Sequence, residues 1–387
     1  MIFHRSVKLP ESDSFFLFGP RGTGKSSLLA SRIPDESRYL IDLLLPATED
    51  RFSRDPDLLI NEVSALAEPI KYVVIDEIQK VPRLLDVVHY LIERTARIFV
   101  MTGSSARKLR HGSANLLAGR AFTRNLYPLT EQELGSKFIL DDVLRWGSLP
   151  KIYQLDSIER RDDFLFAYAN TYLKEEIQSE QLVRRVDHFR KFLEVAAQSN
   201  GQLINFANIA RDTGIDAKTV KSYFEILEDT LVGFWLEPFH TSIRKRLKQA
   251  SKFYFFDTGV VRAVARQLPA VPVPSTTHYG DLFEQLVINE FVRRDSYLKL
   301  QSSFSFLRTA DDVEVDLVIE RHGKPLTLVE IKSTSEVRQD HLSALNSFVG
   351  DFPNAEYYCL SNDPRAKRMN QIHCMFWREG LQHILSQ

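Results

Sequence analysis

One octapeptide constrains the first third of this chain more than any other feature. The apolar run FFLF leads directly into Gly19-Pro20-Arg21-Gly22-Thr23-Gly24-Lys25-Ser26, and the helical stretch SSLLASRI follows. This is the G-x-x-x-x-G-K-[ST] spacing in the strand–loop–helix context it requires. Glycines at these places let backbone N–H groups wrap around a phosphate, and the start of the helix adds the positive end of its dipole. The spacing assigns Gly19, Pro20, Arg21, Gly22, Thr23, Gly24, Lys25, Ser26 and Ser27 to a phosphate cradle. Lys25 is expected to reach the β- and γ-phosphates and the Ser26 hydroxyl to bind Mg²⁺.

About fifty residues on, Tyr72-Val73-Val74-Ile75-Asp76-Glu77 reads as a buried strand ending in two carboxylates. Asp76 is expected to hold the Mg²⁺ shell and Glu77 to polarise an attacking water. A third apolar strand, Ile98–Met101, ends in Thr102-Gly103-Ser104-Ser105, where Ser104, or else Thr102, could orient that water. Short apolar runs alternate with helical stretches up to about residue 130, the pattern of βαβ units and a parallel sheet.

The loop, the Asp-Glu pair and the polar-ended strand together resemble the AAA+ ATPases. More narrowly, the chain is similar to bacterial and archaeal ATP-binding proteins that join a compact AAA module to a C-terminal region of unknown function. The segments VVIDEIQKVP, TGSSARKL, LLAGRAFTRNLYPLTEQEL, WGSLPKIY and TYLKEEI carry that likeness. It implies ATP and Mg²⁺ as cofactors, and an arginine that meets the γ-phosphate, often from a neighbouring subunit. Arg120 is the first candidate, with Arg107 and Arg124 behind it. A homo-oligomer or a partner protein follows from the same likeness.

Residues 131–180 read as a helical lid or connector with a turn at Gly147-Ser148-Leu149-Pro150. Within 181–267, LINFANIARDTGIDAKTVKSYFEIL has the pattern of a helix-turn-helix. Asn205 and Asp216 serve as caps, Val220, Phe224 and Leu227 face inward, and Lys218 and Lys221 face outward. The strands LVGFWLEPF and KFYFF follow like a wing, with Arg244, Lys245, Arg246 and Lys248 between them. From Arg184 to Lys252 there are 12 Lys and Arg against 8 Asp and Glu. That local surplus on a chain with 50 basic and 51 acidic residues makes DNA a candidate partner. A lid or protein contact is the rival role for the same fold.

The three prolines of Leu268–Thr277 read as a linker. Residues 278–387 then run helix, strand, strand, helix, strand. Glu284 shares a helical face with Val287, Ile288 and Phe291, an expensive place for a carboxylate unless it is paired. Asp316 on the first strand can face Glu330 on the second, and Lys332 alternates to the same face as Glu330. This set resembles the restriction-endonuclease and Holliday-junction-resolvase superfamily, whose core carries D…(D/E)-x-K on paired strands. The resemblance implies a divalent-metal site, Mg²⁺ or Mn²⁺, at Glu284, Asp316 and Glu330 beside Lys332.

Two cysteines, Cys359 and Cys374, are too few for a disulfide framework. The N-terminal MIFHRSVKLPESD lacks an apolar leader core, and no apolar run approaches a membrane span. A cytoplasmic location is the expectation. The fold class expected is α/β: a P-loop NTPase parallel sheet, a helical and winged-helix region, and a restriction-endonuclease-like α/β domain. The function expected is ATP hydrolysis coupled to DNA binding or processing. The alternative is a nucleotide-dependent conformational switch or assembly ATPase whose nuclease-like domain is inactive.

Overall fold

A computed structural model describes residues 3–105, 117, 119–172, 186–240 and 250–387. Arg107 and the basic loop Arg244–Lys248 lie outside them. The first unit is a five-stranded parallel sheet of β1 (Ser14–Phe18), β2 (Arg38–Asp42), β3 (Tyr72–Asp76), β4 (Ile98–Gly103) and β5 (Ala121–Asn125). Its order is β2-β3-β4-β1-β5. All five residues of β1 are buried, as a strand must be when helices cover both faces of its sheet. The polar ends of β1, β3 and β4 open together at the C-terminal edge, where open α/β sheets bind ligands.

The second sheet of the described residues has eight strands, in the order β12-β13-β11-β10-β9-β8-β6-β7. It contains β6 (Gly233–Pro238), β7 (Lys252–Phe255), β8 (Ser303–Arg308), β9 (Glu314–Glu320), β10 (Thr327–Lys332), β11 (Glu356–Ser361), β12 (Lys367–Met369) and β13 (Ile372–Phe376). The sequence reading places fewer strands in the last unit, missing β8, β12 and β13. It also treats the proline stretch after residue 267 as a division. The sheet runs across it: Glu237 and Pro238 of β6 pair in parallel with Ser305 and Phe306 of β8. The helix pair Phe206–Thr213 and Ala217–Asp229 is capped by Asn205 and Asp216. It packs over β6 and β7 through Val220, Phe224 and Leu227, all fully buried. No helix among the described residues is long and apolar enough to cross a membrane.

The helix Thr277–Leu298 joins these parts. Besides its apolar residues it buries Gln285, Asn289, Glu290, Arg293, Arg294 and Asp295, and such groups must find partners. Arg293 donates to Leu129 O at 3.1 Å, Ser148 Oγ at 2.9 Å and Phe256 O at 2.6 Å. Gln285 and Asn289 both donate to Phe255 O, at 2.8 and 3.2 Å. Glu290 accepts from the Glu131 amide at 3.1 Å and lies 3.6 Å from Arg293.

Removing the guanidinium would strand three acceptors and the Glu290 charge. Arg293→Met should therefore cost about 3–5 kcal/mol of stability, read as an earlier urea midpoint; an unchanged midpoint would contradict the hub role. Burial pushes the Glu290 carboxyl up to about 7, against the pull of Arg293 and Arg294. Its folded-state value is raised, so its stabilising contribution is full below about pH 4.5 and is lost as pH rises through 7. Glu290→Gln should flatten the decline of melting temperature across that window, and an equally steep decline would count against it.

Candidate nucleotide-binding site

Gly24 closes the loop with φ 93°, a left-handed conformation that glycine adopts without the Cβ penalty. The helix Lys25–Arg32 starts there, so its free amide groups face the loop. Lys25 is buried, its ammonium 2.7 Å from Gly19 O. Pro20 is buried and Thr23 is fully so, its hydroxyl donating to Pro20 O at 2.8 Å. Arg21, Gly22, Ser26 and Ser27 face outward.

Across the cleft the Ser26 hydroxyl donates to Asp76 Oδ2 at 3.1 Å, and the Thr102 hydroxyl donates to Asp76 Oδ1. A hydroxyl and one carboxylate side by side at the loop suit Mg²⁺, which takes few protein ligands alongside phosphates and water. The donor set fits Mg-ATP: Ser26 and Asp76 would hold the ion, and Lys25 and the loop amides the phosphates.

Glu77 takes φ 59°, an uncommon left-handed conformation for a non-glycine residue and one met at functional sites. Its amide donates to Thr102 Oγ1 at 3.2 Å. Its carboxylate accepts from Gln79 Nε2 at 2.5 Å, and the same amide reaches Ser104 Oγ at 3.3 Å. Ser104 is thus tied to Gln79, and Thr102, the other candidate, touches Asp76. Gln79 stands two residues past the Asp-Glu pair, a spacing the motif reading passed over.

The loop is also held from behind. Arg5 donates to Thr23 O at 2.6 Å, to Tyr127 O at 2.5 Å and to the Tyr297 hydroxyl at 3.2 Å, and forms a buried ion pair with Glu133 at 3.1 Å. The Tyr168 hydroxyl donates to Arg21 O at 2.8 Å. Leu149 and Pro150 lie against Gly22 and Gly24. Their turn is set by Gly147 (φ 74°), where any Cβ would strike the buried Asp257 carboxylate. Asp257 in turn accepts from the Ser148 amide at 2.7 Å.

Arg120 does not reach the loop of its own chain. It precedes Ala121, which pairs with Ser14 at the start of β1, so it lies at the sheet edge opposite the loop. There it bonds Glu93 Oε1 at 2.9 and 2.6 Å. Arg124 donates to Lys8 O at 3.1 Å.

The second set of acids is brought together with lysines. Continuing the register of Val329 opposite Leu317 puts Glu330 opposite Asp316. Lys332 lies 2.6 Å from Glu330 Oε1, and Asp316 Oδ2 accepts the Ile331 amide at 2.7 Å. Glu284 accepts from the Tyr254 hydroxyl at 2.5 Å. Burial pushes the Glu284, Asp316 and Glu330 carboxyls up, and the charge of Asp316 adds to the rise at Glu284 and Glu330. Among the described residues no three His, Cys, Asp or Glu converge to hold a metal ion. One oxygen of each carboxylate of the expected divalent site is engaged, Glu284 by Tyr254, Asp316 by the Ile331 amide and Glu330 by Lys332.

A family model described as an AAA domain matches residues 11–135. Two described as domains of unknown function match residues 137–270 (DUF8612) and 279–378 (DUF4143). The chain is similar to uncharacterised proteins of Mycobacterium tuberculosis and Mycobacterium bovis. Each is 29% identical over 324 residues, covering 82% of this chain and 70% of the relative. An uncharacterised protein of Haemophilus influenzae is 24% identical over 258 residues, 62% of each. Among solved structures, the Aeropyrum pernix ORC1 protein in complex with DNA aligns over 67% of this chain and 87% of its own, at 13% identity and TM-score 0.27. A Thermococcus gammatolerans McrB AAA+ assembly with bound McrC aligns over 68% and 80%, at 10% identity and TM-score 0.24. Likenesses at that level assign neither substrate nor partner. The loop, the Ser26–Asp76 contact and the family match together define residues 11–135 as a P-loop ATPase domain of the AAA class.

Gln79 holds Glu77 without belonging to either motif. Gln79→Leu should leave the ATP dissociation constant within about twofold and lower kcat about tenfold or more, in keeping with the cost of misplacing a reacting group. An unchanged kcat would remove Gln79 from the site.

Proposed function

We propose that this chain hydrolyses ATP to ADP and phosphate and passes its nucleotide state to the C-terminal sheet. The observation that carries the first half is the Ser26–Asp76 contact beside a Glu77 held in a strained conformation. Lys25 would swing from Gly19 O to the phosphates, and Glu77 would orient the attacking water and take its proton. Mg²⁺, when bound, neutralises the charge of the β- and γ-phosphates. The second half rests on Arg5, which bonds both Thr23 in the loop and Tyr297 on the long helix. Arg120 could act on a γ-phosphate only in a second copy and only if released from Glu93.

DNA engagement through a winged-helix-like region is the finer form of this proposal. It is supported by exposed Lys218 and Lys221 on the second helix of the pair. The switch reading, with an inactive nuclease-like sheet, is supported by Lys252, which is buried between Glu284 and Glu314.

Lys25→Ala should abolish ATP binding. Glu77→Gln should keep binding and slow turnover by about 10²–10⁴-fold, read as Kd and kcat of the purified chain. Tight ATP binding by Lys25→Ala, or full turnover by Glu77→Gln, would show the site to be misassigned. Adding duplex DNA to the wild type separates the two finer readings: stimulated hydrolysis favours DNA engagement, and an unchanged rate favours the switch.

A further inference from the structure

The acids of the C-terminal sheet meet a cation that comes from elsewhere in the chain. Lys252, the first residue of β7, belongs to the hairpin that follows the helix pair. Its ammonium lies 2.5 Å from Glu314 Oε1 and 3.6 Å from Glu284 Oε1. The lysine is 5% exposed, and such a charge persists in the interior only when it is paired. Glu284 and Glu314 supply that pairing, with Asp316 close enough to add to it. Tyr254, on the same strand, donates to the same Glu284 oxygen that Lys252 faces.

The opposite side of the cluster is less complete. Lys332 covers Glu330 Oε1, but Glu330 Oε2 is buried with no hydrogen-bond partner. Buried carboxylate oxygens ordinarily find one. The cluster therefore keeps unused capacity for a cation, while its centre is closed by the lysine. A divalent ion entering there would face the Lys252 charge at short range in a poorly screened setting.

We propose that Lys252 is the resident cation of this cluster. It stands among Glu284, Glu314 and Asp316 in place of a divalent metal ion, and removing its charge turns the cluster into a divalent-cation site. While Lys252 stands there, the acids serve as its anchor and hold no metal. This inference does not depend on ATP hydrolysis, whose residues lie on the other sheet.

The test uses the nucleotide-free full-length protein with Mn²⁺ as the probe, read by calorimetry and by the Mn²⁺ paramagnetic resonance signal. Wild type and Asp316→Asn should give the same isotherm, because Asp316 binds no metal while Lys252 is present. Lys252→Met should take up one additional Mn²⁺ at least tenfold more tightly than wild type, and Asp316→Asn in that background should abolish it. Should Lys252→Met fail to fold, the Lys252→Met/Glu314→Gln pair, which removes one charge of each sign, is read in its place. Mn²⁺ uptake by wild type that Asp316→Asn removes would overturn the proposal. A folded Lys252→Met protein, or the folded pair, with a wild-type isotherm would overturn it equally.

Discussion

The buried guanidinium of Arg293 is where three stretches of this chain become one body. It bonds the carbonyl of Leu129 just past the first sheet, the hydroxyl of Ser148 in the helical region, and the carbonyl of Phe256 at the end of the hairpin. None of these acceptors is close to another in sequence, and each would lose a partner if the helix Thr277–Leu298 moved away. Dispersion and apolar burial fill the core around it. Directional bonds to a buried charge fix which surfaces meet.

The same helix reaches the phosphate loop one turn further on. Tyr297 accepts from Arg5 and from the Tyr127 amide, and Arg5 carries the connection to Thr23. On the other side, Tyr168 and the turn Gly147–Pro150 brace Arg21, Gly22 and Gly24. The loop's shape therefore depends on residues from the N-terminal arm, the helical region and the long helix. A nucleotide that reshaped the loop would bear on all three. The Glu284 end of the helix carries the anchor for Lys252, so both ends of one rigid element bear on a charged site.

Much of the first unit is legible in the sequence because its chemistry needs fixed spacing. The loop, the Asp76–Glu77 strand end and the strands β1 to β5 all follow from local pattern. The caps Asn205 and Asp216 are legible for the same reason, since capping is decided within four residues. What escapes is set by partners far along the chain. Arg5 sits in an N-terminal stretch with no motif, and only the fold brings it to Thr23. Gln79 looks like an ordinary turn residue until Glu77 adopts its left-handed conformation. Asp316 and Glu330 read as metal ligands because strand alternation puts them on one face. Their buried neighbour Lys252 lies 64 residues before Asp316, and no periodicity connects the two. Joining β6 to β8 likewise depends on a crossover past the proline segment, which composition alone presents as a division.

The central claim is that the nucleotide loop and the C-terminal sheet communicate through Arg5, Tyr297 and the helix Thr277–Leu298. Amide hydrogen exchange on the full chain, with and without ATP and Mg²⁺, tests it most directly. The account predicts altered protection at residues 19–27 and 72–79, and also along 290–298 and at the strand containing Lys252. In Arg5→Met that still binds ATP, the distant changes should vanish while those at the loop persist. Protection changes confined to the loop and the ends of β3 and β4 in the wild type would contradict it.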